Sequence, residues 1–125
     1  MIKVSRRHFE RLVRRAVHGL PPAFLDRLEN LDITVERRPS TRHLRGGRVP
    51  PGHTLLGLYQ GVPHTLRGEG YTYALPDRII IFQEPIETRC GSDDDLVAEV
   101  RRTVLHEIAH HFGIDDARLA ELERE

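Results

Sequence analysis

The chain has no tryptophan, one methionine and one cysteine, and aromatic residues make up only 6% of its 125 positions. A lone Cys90 excludes an intramolecular disulfide framework and fits a reducing, cytoplasmic setting. No apolar run approaches the roughly 20 residues a membrane-spanning helix requires, and the basic N-terminus lacks the apolar stretch of a signal peptide. Net charge is lacking too, because 19 Lys/Arg balance 19 Asp/Glu. What remains is 38% hydrophobic and 30% charged residues, the composition of a soluble globular protein. A chain of this length supports one core, so residues 1–125 are read as a single domain.

The neutral total hides an asymmetry. Residues 1–50 carry 12 Lys/Arg against 5 Asp/Glu, and residues 51–125 carry 7 against 14. Nearly all the cations are arginine. Such a split can mark a nucleic-acid face, but no basic motif interleaved with aromatics accompanies it. The reading disfavours nucleic acid and takes the two halves as mutually attracting surfaces or as the rim of a substrate cleft.

Against this plain background one segment stands out: His106-Glu107-Ile108-Ala109-His110-His111-Phe112-Gly113-Ile114-Asp115-Asp116. Its pattern is H-E-x-x-H-x-x-G-x-x-D. An H-E-x-x-H arises by chance in such a chain roughly a few per cent of the time, and adding Gly113 and an acid or His at 116 lowers that by about two orders of magnitude. On a helix, residues four apart share a face, so His106 and His110 can take adjacent corners of a tetrahedral zinc ion. Glu107 lies about 100° around the helix from His106, where a carboxylate reaches the metal's water rather than the metal. Gly113 allows a sharp stop, after which Asp116 can return as third ligand and leave the fourth corner open, as catalytic zinc sites do. Asp116 is favoured over Asp115. Glu121 and Glu123 are further candidates, although with Glu125 they also read as a solvated helix face. His111 points about 100° from His110 and reads as a packed or supporting histidine.

The surrounding pattern places this motif on a helix from Asp93 to Phe112. Ser92 is an N-cap, and Asp93, Asp94 and Asp95 put negative charge in the first turn. Val97, Val100, Val104, Ile108 and Phe112 form an apolar stripe opposite the two histidines. Upstream, Ser5–Val17 reads as an amphipathic helix ended by Gly19. Pro21-Pro22 opens a second short helix with apolar Phe24, Leu25, Leu28 and Leu31. Ile33–Glu36 and Leu55–Tyr59 read as strands, Tyr71–Leu75 as a weaker one, and Arg78–Phe82 as the strongest. The run Ile79-Ile80-Ile81 implies burial on both faces in mid-sheet. Residues 39–53 read as a loop, and Pro85 with residues 88–92 as the approach to the long helix. The fold class is therefore α+β: a small mixed, twisted sheet of three or four strands backed by an N-terminal and a C-terminal helix.

Element order and extended motif together resemble the zincin metallopeptidases. The nearer resemblance is to the small bacterial zincin-like family of predicted zinc metallopeptidases, through Leu55-Leu56-Gly57-Leu58-Tyr59, Leu75-Pro76-Asp77-Arg78-Ile79 and the terminal HEIAHHFGIDD. It implies a minimal zincin fold, Zn²⁺ held by His106, His110 and Asp116, and Glu107 as general base. The chain departs from the larger metzincins in two ways. Their third ligand is usually His, and their site rests on a methionine-bearing turn, whereas the only methionine here is Met1.

The expected activity is hydrolysis of peptide bonds in a peptide or protein substrate, with Glu107 taking the water's proton and passing it to the leaving amine. Tyr71, Tyr73 and Arg67 are candidates for contacts to substrate or transition state, by elimination. An extended substrate is expected to add to a sheet edge in residues 61–75. The rival readings are a metal-assisted hydrolase of small amides or esters, and a non-catalytic zinc module whose Arg-rich half binds a protein or nucleic acid. Zinc binding alone needs no Glu107, which favours catalysis.

Overall fold

The computed structural model describes residues 1–24, 28–29, 31–50, 52–61 and 77–124, leaving aside the side chains of Asp116 and Glu123. Helix α1 (Arg6–His18) starts where the Ser5 hydroxyl accepts the His8 N–H at 3.1 Å, and it stops at Gly19, whose N–H reaches back to the Ala16 and Val17 carbonyls. Phe9, Leu12, Val13 and Ala16 form its buried stripe at helical spacing, as the periodicity predicts.

The segment after α1 corrects the sequence reading. Pro22–Phe24 forms a 3-10 turn with Phe24 buried, and Leu28 is helical as expected, but the helix does not reach Leu31. Leu31 instead begins strand β1 (Leu31–Glu36) and pairs with Asp77. A helix this short is marginal alone, so sheet pairing captures the residue. Leu25 lies outside the described residues, and half-buried Leu28 packs on the core.

Among the described residues the sheet has three strands, β1, β2 (Gly57–Gln60) and β3 (Asp77–Phe82), in spatial order β1-β3-β2. β1 runs parallel to β3 with Val35 opposite Ile81, and β2 runs antiparallel with Leu58 opposite Ile80. β3 is thus central, and Ile79, Ile80, Ile81 and Phe82 are all fully buried, as their unbroken apolar run predicts. The strand expected at Tyr71–Leu75 lies outside the described residues.

Two short helices depart from the sequence expectation. Helix α2 (Thr41–Gly46) occupies the supposed loop at 39–53: Ser40 accepts from the His43 N–H, and the His43 ring accepts from the Ser40 N–H, each at 3.1 Å. A histidine in this reciprocal cap is no standard signature, and α2 buries no residue, so hydrophobic periodicity could not reveal it. Helix α3 (Gln83–Glu87) includes Pro85, although proline ordinarily interrupts a helix. Its place in the first turn, where N–H groups lack helical partners anyway, makes proline harmless. Buried Glu87 fastens the N-terminal segment to α3. Its carboxylate accepts the Val4 N–H at 2.9 Å and the Gln83 amide at 3.2 Å, while that amide also donates to the Val4 carbonyl at 3.0 Å.

Helix α4 (Asp93–His111) follows, capped by Ser92, and α5 (Asp116–Glu123) ends the described chain. Val97, Val100, Val104 and Ile108 are buried against α1 and the sheet, but Phe112 departs from the predicted stripe. It is 47% exposed, because it is the C-cap residue, where the helical register that would carry it inward has ended. Arg101 donates to the Ala16 carbonyl at 3.2 Å, and His8 meets Asp93 at 2.8 Å, tying α1 to α4 at both ends. The fold is α+β, with α1 and α4 packed together and α4 lying along the mixed sheet. No described helix is long and apolar enough to cross a membrane.

Candidate metal centre

The apolar side of α4 fixes the opposite side of the helix outward. His106 and His110, one turn apart, are both exposed there, with ring centres 6.2 Å apart and planes 33° from parallel. Glu107 is half-buried between the helix and β2, where the Tyr59 main-chain N–H donates to its carboxylate. Burial pushes the Glu107 carboxyl above its ordinary range; the nearby His110 charge and the Tyr59 N–H oppose that rise.

Glycine brings β2 this close. A Cβ at position 57 would stand 2.6 Å from Thr103 Cγ2 and 3.2 Å from the Ile80 carbonyl, so a side chain there would force strand and helix apart. Farther along, Tyr59 stacks on the His111 ring at 3.9 Å, and its hydroxyl donates to Asp77 at 2.7 Å. His111 is thus exposed but set by stacking against β2. Strand and helix run in the same direction, Gly57 beside Thr103, Tyr59 beside Glu107 and His111. Between them opens a groove of about 690 Å³, lined by Leu55–Tyr59 and by Glu99, Arg102, Thr103, His106, Glu107 and His110 of α4.

Beyond His111 the chain turns as its glycine predicts. Gly113 has φ +69°, and its N–H donates to the His110 carbonyl while the Ile114 N–H donates to Ala109 at 2.8 Å. These paired bonds end a helix sharply and satisfy its last carbonyls. Asp115 then caps α5, accepting the Arg118 N–H at 2.8 Å, and Asp116 is the first residue of that helix. The Asp115 carboxylate is engaged in capping, and exposed Glu121 pairs with Arg118 at 2.9 Å. The side chains of Asp116 and Glu123 are outside the description. Among the described residues no group of three His, Cys, Asp or Glu stands together to hold a metal. Tyr71, Tyr73 and Arg67 lie outside the described residues, as does nearly all of the edge expected at 61–75.

Sequence reasoning overlooked Tyr59, whose contribution is a main-chain N–H and therefore leaves no residue-type signal. It also overlooked Glu99 and Arg102, which precede His106 by seven and four residues; helical spacing alone puts all three on one face.

Comparisons with known proteins bear on the family and the fold. A family model described as zincin-like metallopeptidase matches residues 28–125. A conserved hypothetical protein from Thermus thermophilus shares the fold, with a TM-score of 0.53 and 23% identity, over 87% of this chain and 94% of that one. No curated protein matches. The family match takes in the three described strands, the motif helix and the turn after it, and so the chain belongs to the zincin-like metallopeptidase family.

Proposed function

We propose that this protein is a zinc-dependent peptidase, with His106, His110 and Asp116 as metal ligands and Glu107 as general base. The observation that carries the reading is the setting of Glu107: a half-buried carboxylate beside two exposed imidazoles, anchored by a main-chain N–H from the neighbouring strand, in the lining of a groove of about 690 Å³. The donor set suits the ion. Two imidazoles on one tetrahedral zinc, bound at about 2.0 Å per nitrogen, have ring centres about 5 Å apart. The observed 6.2 Å is within reach of a small rotation of either ring. The turn at Gly113 carries the chain directly to Asp116 at the start of α5, a carboxylate completing a two-histidine set.

Zinc held there would acidify water and polarise the carbonyl under attack. The chain's own residues do the rest. Glu107 takes a proton from the attacking water and returns it to the departing amine. Its burial raises its proton affinity, which suits a group that must both accept and donate near neutral pH. The Tyr59 N–H fixes the carboxylate's direction, so no entropy is spent on orienting it at the moment of reaction. The groove runs between β2 and α4, and its lining from Leu55 to Tyr59 along the strand offers an extended peptide a surface beside the motif residues.

Metal analysis combined with peptide-library cleavage tests the reading. Purified protein is expected to hold about one zinc per chain and to cleave peptides. Glu107→Ala should abolish cleavage and keep the metal, whereas His106→Ala and His110→Ala should lose it. Metal-free wild-type protein, or full cleavage by Glu107→Ala, refutes the proposal.

A further inference from the structure

The groove is chemically different at its two ends. One end is aromatic, closed by the stacked rings of Tyr59 and His111. The other holds Arg89, Glu99 and Arg102. Glu99 is 8% exposed, and its carboxylate meets one nitrogen of Arg102 at 3.2 Å. A buried carboxylate of this kind fixes the guanidinium to which it is paired and uses up one positive charge. Arg102 is itself exposed, and a guanidinium has five N–H donors in a planar fork, so nitrogens remain to face the groove. Arg89 is exposed and, among the described residues, makes no ion pair. Asp95 lies nearby as well, but it does not line the groove and its carboxylate accepts the Gly91 N–H at 3.0 Å. The charged side chains that line this end, Arg89, Arg102 and Glu99, therefore leave one positive charge facing the groove, with Arg102 and Glu99 carried on α4.

Resting on the peptidase reading, we infer that Arg102 and Arg89 form a subsite for a carboxylate of the substrate, so that the enzyme prefers peptides with an acidic side chain about two residues from the cleaved bond. The spacing follows from the helix. Arg102 precedes His106 by four residues, a rise of about 6 Å, and an extended peptide advances about 3.3 Å per residue. A bidentate guanidinium–carboxylate pair supplies direction as well as attraction, and the partly desolvated groove strengthens it. Glu99 is a positioning residue: it holds Arg102 and does not touch substrate.

The test measures binding separately from turnover. Zinc-loaded, full-length Glu107→Gln protein is titrated with fluorescent alanine-based hexapeptides in which one Glu, or one Gln as its neutral counterpart, is moved along the sequence. At one position Glu should bind about tenfold more tightly than Gln, as a charge-assisted pair allows. Arg89→Ala and Arg102→Ala should each reduce that ratio, Arg102→Lys should keep part of it, and salt should shrink it. Arg89→Ala removes an exposed, unpaired side chain, so folding does not confound it. Equal binding of Glu and Gln peptides at every position overturns the inference, as does a preference that survives loss of both arginines. Cleavage by the wild type without any acidic preference would remove the subsite and leave the peptidase standing. Selective binding without cleavage would do the reverse.

Discussion

Replacing Gly57 by alanine tests the contact on which the groove depends. The added Cβ would lie 2.6 Å from Thr103 Cγ2 and 3.2 Å from the Ile80 carbonyl oxygen. Real Cβ atoms do not approach heavy atoms below 3.0 Å, so β2 must move away from α4 or α4 must shift. Overpacking of this kind costs about 1–3 kcal/mol. For a chain of this size that lowers Tm by about 4 °C per kcal/mol. Because the Glu107 carboxylate takes its N–H from Tyr59 two residues along β2, the same displacement should also weaken catalysis. Thr103→Ser provides the control. It deletes the offending methyl but keeps the hydroxyl, which donates to the Glu99 carbonyl at 2.8 Å. By itself Thr103→Ser should cost about 1 kcal/mol for a lost buried methyl. Combined with Gly57→Ala it should be more stable than the two costs added, with a coupling of about 1 kcal/mol. Thermal unfolding of the four proteins measures the cycle. Undiminished stability of Gly57→Ala, or simple additivity with Thr103→Ser, would refute the close approach of strand and helix.

Three further outcomes follow from the same structure. Ile80→Ala should destabilise the protein by about 2–5 kcal/mol in denaturant unfolding, because Ile80 is fully buried in the central strand; a loss below about 1 kcal/mol would contradict that placement. Glu87→Ala should cost about 1–3 kcal/mol and speed hydrogen exchange at the Val4 amide, which loses its acceptor, whereas unchanged exchange would mean that the N-terminal segment is held elsewhere. Glu84 is held below its ordinary value of 4.5, chiefly by its hydrogen bond from Arg37 and also by Arg38. A carboxyl depressed on folding adds stability above its unfolded pKa and loses it as pH falls through the lower folded one, so wild type should lose stability relative to Glu84→Gln below about pH 4.5. Parallel pH curves for the two would remove the ion-paired role.

Local signals make α4 legible almost to the residue. Ser92, three aspartates in the first turn, a helical apolar stripe and Gly113 agree on where it starts, which face it buries and where it stops. β3 is equally plain, since three consecutive isoleucines suit only a strand covered on both faces. What stays hidden depends on partners far away in sequence. Leu31 looks helical beside Leu28 and becomes a strand residue only because Asp77 lies opposite. The short helix at Thr41–Gly46 is stabilised by a Ser40–His43 exchange that no hydrophobic pattern records. In the candidate site the motif residues can be named, but the Tyr59 N–H that anchors Glu107 is main chain. Its importance emerges only once Gly57 lets β2 settle against α4.

The strand order carries a consequence for how the chain is made. Among the described residues β1 and β2, first and second in sequence, are not paired with each other; each is hydrogen-bonded to β3, which begins at Asp77. While the protein is being synthesised, neither early strand can pair with β3 until more than three-fifths of the 125 residues exist. The helix that gives α1 its apolar cover, α4, comes later still. Both therefore wait for β3, and the Ile79–Phe82 run supplies the nucleus on which they close. A permuted chain beginning at Asp77, with its old termini joined, would present this nucleus first and should refold faster than the natural order.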